Sequence, residues 1–206
     1  MLGFISARPG EGSSTVAVNF AAIAASAGQR TVLMDTDLRR STLTRRIAPT
    51  AQTGLQTVYR DFSKLLKAFT LLTSGVHFLP AVDRDPRVHP SELVASADMR
   101  QLVDLLRHTF DLIVLDLPPA TSVIDGRAVA DLVDGYILIV EWNRTTLETL
   151  GAAMADNPQI ARKLIGFAFN KVDLAEAKRI GDYAAVVDRE YRDKEATPAT
   201  VAARTG

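Results

Sequence analysis

A short apolar run near the amino terminus is followed at once by a glycine-rich loop and then by a long apolar segment. The run is GFISA at residues 3–7, the loop lies within SARPGEGSST at 6–15, and the segment STVAVNFAAIAASAG covers 14–28. A buried strand, a tight turn and a helix in this order bring successive backbone N–H groups to the positive end of the helix. The sequence therefore predicts an anion-binding loop between a first strand and a first helix.

Five further apolar runs of strand length follow, each bounded by turn residues and separated by helix-like segments. They are TVLMD, VHFLP, DLIVLD, GYILIVE and IGFAFN, at residues 31–35, 76–80, 111–116, 135–141 and 165–170. Helices are predicted over residues 14–28, 90–110 and 145–157, with Gly28 closing the first and Ser91 capping the second. This alternation predicts an α/β fold with a doubly wound, mainly parallel sheet flanked by helices.

The length of 206 residues suits one such domain. We expect it to span residues 1–175 and to be followed by a polar tail over 176–206, partly disordered because KEATPATVAARTG cannot support a core. Residues 47–74 lack a clear period, so a surface excursion with one short helix near 62–69 is expected there. The chain begins directly in a strand, which favours a piece of a longer protein.

Composition excludes several classes of function. Lys and Arg total 24 and Asp and Glu total 24, so no overall field favours nucleic acid, and no nucleic-acid partner is expected. The absence of cysteine excludes thiol chemistry and fits a reducing cytosol, and the 3 histidines have no metal-ligand spacing. No apolar run approaches the roughly 18 residues that a membrane-spanning helix needs, so the chain is predicted to be soluble.

The loop partly fits the phosphate-binding pattern G-x-x-x-x-G-K-[ST]. Gly12 and Ser14 match, Ala7 stands at the first glycine position, Gly10 lies in the variable stretch, and the lysine position holds Ser13. In this pattern the backbone cradles phosphate oxygens and the final hydroxyl ligates Mg²⁺. A glycine-rich turn without a ligand is the alternative.

Carboxylates end two of the predicted strands. TVLMDTDLRR carries Asp35 and Asp37, and DLIVLDLPP carries Asp116. Because parallel sheets bind ligands at the carboxyl ends of their strands, these side chains should share one edge with the loop. Mg²⁺ takes few direct protein ligands, and carboxylates suit it. The alternatives are a turn cap at Asp116 and an ion pair of Asp37 with a following arginine.

Taken together, the motifs resemble the cytoplasmic domain of bacterial tyrosine kinases that regulate polysaccharide copolymerases, relatives of MinD and ParA. The family has PGEGKST, DxDxRRP, NPSELL and DxxxxDxPP where this chain has PGEGSST, DTDLRRS, HPSELV and DLIVLDLPP. Over residues 2–175 the resemblance implies a P-loop NTPase fold that binds ATP or ADP with Mg²⁺. It also implies a membrane copolymerase or its transmembrane part as partner, self-association, and a cytoplasmic position at the inner face of the plasma membrane.

The resemblance also implies roles for single residues. Asp35 and Asp37 are the catalytic carboxylates, and Ser14, Asp37 and Asp116 hold the metal. Thr15 contacts the α-phosphate and Asn170 the adenine ring. The NKVD pattern that begins at Asn170 also fits guanine recognition through Asp173, and a strand-end cap at Asn170 is a third interpretation. The residues expected to bind the nucleotide are Arg8, Gly10, Glu11, Gly12, Ser13, Ser14, Thr15 and Asn170.

Three departures from the family affect the expected activity. Ser13 removes the lysine charge from the phosphates, although Arg8 is a candidate substitute. The tail keeps only Tyr183 and Tyr191 of the family's tyrosine cluster. The helices that precede this domain in the family are not among these residues, so we expect either that the sequence is trimmed or that the protein assembles differently. We therefore expect a kinase-like domain of low or no activity. A non-catalytic scaffold and a ParA- or MinD-type positioning ATPase are the alternatives, and whether the chain is an enzyme stays open.

Overall fold

The computed structural model describes residues 1–82, 90–121 and 129–180. Within them the strands form one sheet with the spatial order β3-β4-β2-β5-β1-β6-β7. Every pairing is parallel except that of β3 with β4, which confirms the predicted α/β fold with a mainly parallel sheet. The strands are β1 (Leu2–Ser6), β2 (Thr31–Asp35), β3 (Thr70–Leu71), β4 (His77–Leu79), β5 (Leu112–Asp116), β6 (Gly135–Glu141) and β7 (Leu164–Asn170).

Helices flank this sheet, and all three segments predicted to be helical are helical, although the second forms two helices. Gly28 has a φ of 87° just after the C-cap Ala27, as expected for a glycine that closes a helix. The helices are α1 (Ser13–Ser26), α2 (Thr42–Ile47), α3 (Leu55–Arg60), α4 (Leu65–Ala68), α5 (Pro90–Ala95), α6 (Ala97–Thr109), α7 (Leu147–Ala155), α8 (Pro158–Arg162) and α9 (Leu174–Ile180), with a 3₁₀ turn at Phe62–Lys64.

The long helix predicted over residues 90–110 is divided at Ser96. Its hydroxyl accepts a hydrogen bond from the Met99 N–H at 3.0 Å and so caps the start of α6. The predicted cap at Ser91 is wrong, because that residue lies inside α5. Serine occurs at both positions, and a sequence pattern does not show which hydroxyl meets a free N–H.

The surface excursion predicted over residues 47–74 is also wrong, although the short helix expected near 62–69 forms as the 3₁₀ turn and α4. Leu55 and Val58 in α3, and Leu65 and Ala68 in α4, are buried in the main core cluster. Each helix buries a pair of residues three positions apart. Helices this short do not show a helical period in the sequence. The segment therefore covers part of the sheet.

Apolar side chains fill both faces of the sheet. All five residues of β2 are buried, and two buried clusters include Val32 and Ile113 in one and Leu33 and Val114 in the other. Burial on both faces explains the unbroken apolar runs of the central strands. Each fully buried aliphatic side chain contributes about 1.5–3 kcal/mol relative to an exposed one. The rigid centre of the sheet fixes where the loop after β1 lies.

The chain divides into two compact units, residues 1–170 and 171–206. The first contains the whole sheet. Of the second, the structure describes residues 171–180, which contain α9. Most of the predicted tail, with Tyr183 and Tyr191, lies outside the described residues, and the expected boundary at 175/176 stays a prediction. In the described segments no helix has the length and apolar character needed to cross a membrane.

Candidate functional site

The glycine-rich loop connects the central strand β1 to α1. Gly10 and Gly12 have φ angles of 87° and 96°, a left-handed backbone that favours glycine. Gly12 is the N-cap of α1 and makes no side-chain cap. The first N–H groups of α1 therefore have no side-chain acceptor from the cap position, which is the arrangement that suits an anion.

Three contacts hold the loop in place. The buried Glu11 carboxylate accepts the Arg8 N–H at 2.8 Å through one oxygen and the Thr145 hydroxyl through the other. The Asn170 side-chain amide donates to the Glu11 backbone carbonyl at 2.8 Å. A Cβ atom at Gly12 would overlap that amide nitrogen, so Asn170 lies directly against the loop.

The predicted carboxylates meet at the carboxyl edge of the sheet, beside the loop. Asp35 and Asp116 are register partners on β2 and β5, and both are buried. The Thr36 N–H and hydroxyl donate to the Asp116 carbonyl at 3.0 and 2.7 Å. The Ser14 hydroxyl lies near the Asp116 carboxyl group and lowers its pKa. The structure thus brings the loop and both strand-end motifs together.

Asp116 has an unusual environment. Burial raises the pKa of its carboxyl group to about 8, the Ser14 hydroxyl opposes the shift, and the charges of Asp35 and Asp37 add to it. Its Oδ1 atom is buried and has no hydrogen-bond partner. A buried carboxylate oxygen without a partner, beside a serine hydroxyl, fits the donor set of Mg²⁺.

Unlike Asp116, Asp35 accepts hydrogen bonds at both of its carboxylate oxygens. Its Oδ1 accepts the Asp37 N–H at 3.2 Å, and its Oδ2 accepts the Thr44 N–H at 2.8 Å and the Thr44 hydroxyl at 2.7 Å. Burial raises its pKa to about 6, and the Thr44 hydrogen bonds oppose the shift. The Thr44 hydroxyl in turn accepts the Ala81 N–H at 2.7 Å. Asp35 therefore joins β2 to α2 and, through Thr44, to the segment after β4.

The remaining predicted residues differ in exposure. Asp37 is 9% exposed and accepts the Arg40 backbone N–H at 3.1 Å. Ser13 is buried at the start of α1, whereas Arg8 and Thr15 are exposed. Among the described residues no group of three or more His, Cys, Asp or Glu side chains is arranged to hold a metal. A Mg²⁺ ion with one or two protein ligands remains compatible with this finding, since it usually keeps several waters and phosphate oxygens.

Several residues that shape the site carry no recognisable motif. Thr36, Thr44 and Thr145 each hydrogen-bond a predicted residue. Threonine is common in loops, so nothing in the sequence distinguishes these three. Their position shortly after the predicted strands at 31–35 and 135–141 is the one sequence feature that points to the site.

The site makes stability depend on pH. Because the raised pKa values keep Asp35 and Asp116 protonated in the folded state, that state holds protons which the unfolded chain releases above about pH 4. Stability should therefore fall as pH rises from about 4 to 8. We expect Asp116→Asn to flatten this decline and to raise the free energy of unfolding at pH 8 by about 2 kcal/mol or more.

Urea unfolding between pH 5 and pH 8.5 without divalent metal measures this effect. Asp104→Asn, at an exposed position on α6, is the matched control and should follow the parent protein. A parent protein whose stability rises across this interval, or an Asp116→Asn variant with an unchanged slope, contradicts the proposed protonation.

Comparison with known proteins places this site in context. The family model described as "ATPase MipZ" matches residues 3–143. Succinoglycan biosynthesis transport protein ExoP of Rhizobium meliloti (strain 1021) is 36% identical over 185 residues, which are 89% of this chain and 24% of ExoP. Tyrosine-protein kinase CpsD of Streptococcus agalactiae is 27% identical over 194 residues, 94% of this chain and 84% of CpsD. The chain thus spans about a quarter of the length of ExoP.

Solved structures agree with these relatives. The kinase domain of Escherichia coli tyrosine kinase ETK has a TM-score of 0.76 at 26% identity, over 83% of this chain and 67% of that chain. The homologues are thus bacterial tyrosine kinases and a polysaccharide transport protein. The resemblance found in the motifs, and the P-loop NTPase fold that it implies, are confirmed.

Proposed function

We propose that this chain, which belongs to the ATPase MipZ family, binds an ATP–Mg²⁺ complex at the carboxyl edge of its sheet. We further propose that it is a tyrosine-kinase-like domain which regulates polysaccharide polymerisation or export, with low or no phosphoryl transfer. The observation that carries the binding proposal is the buried Asp116 carboxyl group, whose Oδ1 has no hydrogen-bond partner, beside Asp35 and at the edge that carries a loop with two left-handed glycines.

The Mg²⁺ ion would be held by the Ser14 hydroxyl and, directly or through water, by Asp116 and Asp37. When bound, the metal neutralises phosphate charge and fixes the phosphates in one orientation. It would also supply the partner that Asp116 Oδ1 lacks. The loop N–H groups from Gly10 onward would then receive the phosphate oxygens.

Asn170 can still contact a base. Its NH₂ group donates one hydrogen bond to the Glu11 carbonyl, which leaves the amide oxygen and a second N–H. The oxygen suits the adenine amino group, as the proposed adenine contact requires, and the second N–H could serve an acceptor. Asp173, which the guanine pattern requires as a base acceptor, accepts the Ala175 and Glu176 N–H groups at 2.9 and 3.2 Å through one oxygen, Oδ1, at the start of α9.

Two features support weak catalysis. Ser13 provides a hydroxyl dipole where a lysine would place a full charge on the β- and γ-phosphates. Both oxygens of Asp35, the proposed catalytic carboxylate, already accept hydrogen bonds. Oδ2 accepts two of them and Oδ1 one, so only Oδ1 keeps a lone pair for the proton of a substrate hydroxyl.

The same features favour a second candidate, a non-catalytic scaffold that senses nucleotide or only contacts its partner. A positioning ATPase of the ParA or MinD type is a third candidate, which the ATPase MipZ family match keeps open. If the chain is a kinase-like domain, its partner would be a membrane polysaccharide copolymerase or its transmembrane part. The chain would then lie at the inner face of the plasma membrane and would self-associate.

A thermal-shift series with ATP, ADP and GTP, each with Mg²⁺, separates these candidates. A ligand at about 100 times its dissociation constant stabilises the fold by ~2.7 kcal/mol. For a domain of this size that is a rise in Tm of several degrees. We expect ATP and ADP to raise the Tm and GTP to do so less.

Asp116→Asn is the matched variant for this series, because it removes the metal carboxylate and keeps the shape of the side chain. We expect its Tm to respond little to Mg²⁺-ATP. If no nucleotide changes the Tm of the parent protein at millimolar concentration, the nucleotide proposal fails and the scaffold is the better account.

A further inference from the structure

The most buried charged group of the phosphate loop does not face the carboxylate edge. Glu11 is 1% exposed, and its carboxylate points to the segment that follows β6. One oxygen accepts the Arg8 N–H from within the loop, and the other accepts the hydroxyl of Thr145, which is 134 positions away in the chain. Glu11 therefore connects the loop to a separate part of the sheet.

Thr145 is itself fixed by its surroundings. Its N–H donates to the Glu141 carbonyl at 3.2 Å, which closes a turn directly after β6. The next residue, Thr146, caps α7 by accepting the Thr149 N–H at 3.2 Å. A strand end and a helix start thus hold the Thr145 hydroxyl in one place.

The loop needs such an anchor because its own backbone is permissive. Arg8, Pro9 and Gly10 are exposed, and the two left-handed glycines widen the conformations open to an untethered loop. Ordering a flexible loop during binding weakens affinity, whereas a loop ordered beforehand avoids that loss. The affinity kept by ordering the loop beforehand matters more here, because the loop lacks the lysine charge.

We propose that Thr145 is a positioning residue which, through Glu11, holds the phosphate loop in its binding conformation before any ligand arrives. The contact from Thr145 orients the Glu11 carboxylate, and the carboxylate fixes the Arg8 N–H. The effect on nucleotide affinity rests on the proposed function. The ordering of the loop does not, and it can be measured without nucleotide.

Neighbouring charges do not account for this arrangement. The small cleft beside the loop is lined by Arg8, Glu11, Glu141, Arg144 and Thr145, among others. The Arg144 guanidinium pairs with Glu141 at 3.2 Å. The Glu11 carboxylate accepts hydrogen bonds from two uncharged donors, the Arg8 N–H and the Thr145 hydroxyl. Removing the Thr145 hydroxyl therefore leaves one carboxylate oxygen without that donor.

The test compares Thr145→Val, which keeps the side-chain shape and removes the hydroxyl, with Thr145→Ser, which keeps the hydroxyl. The readout is hydrogen exchange at the Arg8 amide of the nucleotide-free protein, followed by NMR. A hydrogen bond to a charged group is strong enough that its loss should speed local exchange about tenfold or more. We expect this acceleration in Thr145→Val, with Thr145→Ser within about twofold of the parent.

Thr149→Val is the control in the same segment, because its hydroxyl contacts Thr146 and not the loop. It should leave Arg8 exchange unchanged. In a Glu11→Ala background, Thr145→Val should have no further effect, as expected for two residues that act through one contact. Unchanged Arg8 exchange in Thr145→Val overturns the proposal. Equal acceleration at Arg8 and at Val32 in β2 also overturns it, because it would indicate general destabilisation.

Nucleotide affinity provides a separate arm. We expect Thr145→Val to weaken Mg²⁺-ATP binding about tenfold and Thr145→Ser to restore it. If the parent protein binds no nucleotide, the proposed function fails, and Arg8 exchange still decides whether Thr145 orders the loop. If the parent binds and Thr145→Val binds equally well, the positioning role is overturned.

Discussion

Ser13→Lys is expected to strengthen Mg²⁺-ATP binding about tenfold to a hundredfold and to raise ATP turnover by about two to three orders of magnitude. The binding gain corresponds to about 1.5–3 kcal/mol for one charge-assisted hydrogen bond. The rate gain follows from the cost of removing a single preorganised donor from a transition state, about 100- to 1000-fold. Ser13 is the first residue of α1, the position from which a lysine side chain would serve the phosphates. Calorimetry and a phosphate-release assay measure the two effects.

Ser13→Gln is the matched control, because it adds a long polar side chain without the charge. It should give neither gain. Arg8→Ala, measured alongside, tests whether the exposed Arg8 replaces the lysine; if it changes neither affinity nor turnover, that hypothesis fails. Equal behaviour of the lysine and glutamine variants would mean that the missing charge does not limit this domain.

Gly12→Ala is expected to lower the free energy of unfolding by about 2 kcal/mol more than Gly10→Ala and to abolish measurable nucleotide binding. Both glycines have left-handed φ angles, so each substitution carries a similar backbone strain of about 1–2 kcal/mol. Only at Gly12 would the new Cβ overlap Asn170, whereas nothing lies within 4 Å of a Cβ at Gly10. The additional loss comes from displacing Asn170 and breaking its bond to Glu11.

Urea unfolding of the two variants measures the difference directly. In an Asn170→Ala background the overlap is gone, so Gly12→Ala should then cost no more than Gly10→Ala. Equal losses for the two alanine variants in the parent background would show that the contact between Asn170 and the loop is not tight.

The sequence predicted the fold where apolar runs were long and alternated with helix-like segments. The six predicted strands all form. β2 and β5 are buried strands, which need unbroken apolar runs, whereas β7 at the edge of the sheet is apolar but half-exposed. The short helix expected near 62–69 forms as the 3₁₀ turn and α4, whereas β3 and α3 were missed. β3 has two residues and α3 has six, and neither is long enough to display a period.

Parallel sheets bind ligands at the carboxyl ends of their strands, and this rule alone predicted that Asp35, Asp116 and the loop share one edge. The structure brings them together as expected. The supporting contacts could not be predicted. Thr44 reaches Asp35 from the next helix along the chain, and Thr145 reaches Glu11 across 134 positions. Such pairs depend on how β1, β2 and β6 are arranged in space, and no local pattern encodes that arrangement.

Titration calorimetry of the parent protein with ATP, in the presence of Mg²⁺ and then of excess EDTA, tests the central claim most directly. We predict binding of one ATP per chain that weakens at least about tenfold when the metal is removed, since Ser14 and Asp116 would then hold no ion between them and the phosphates. Equal affinity with and without Mg²⁺, or no detectable heat under either condition, would contradict the claim that this edge of the sheet is a magnesium-nucleotide site.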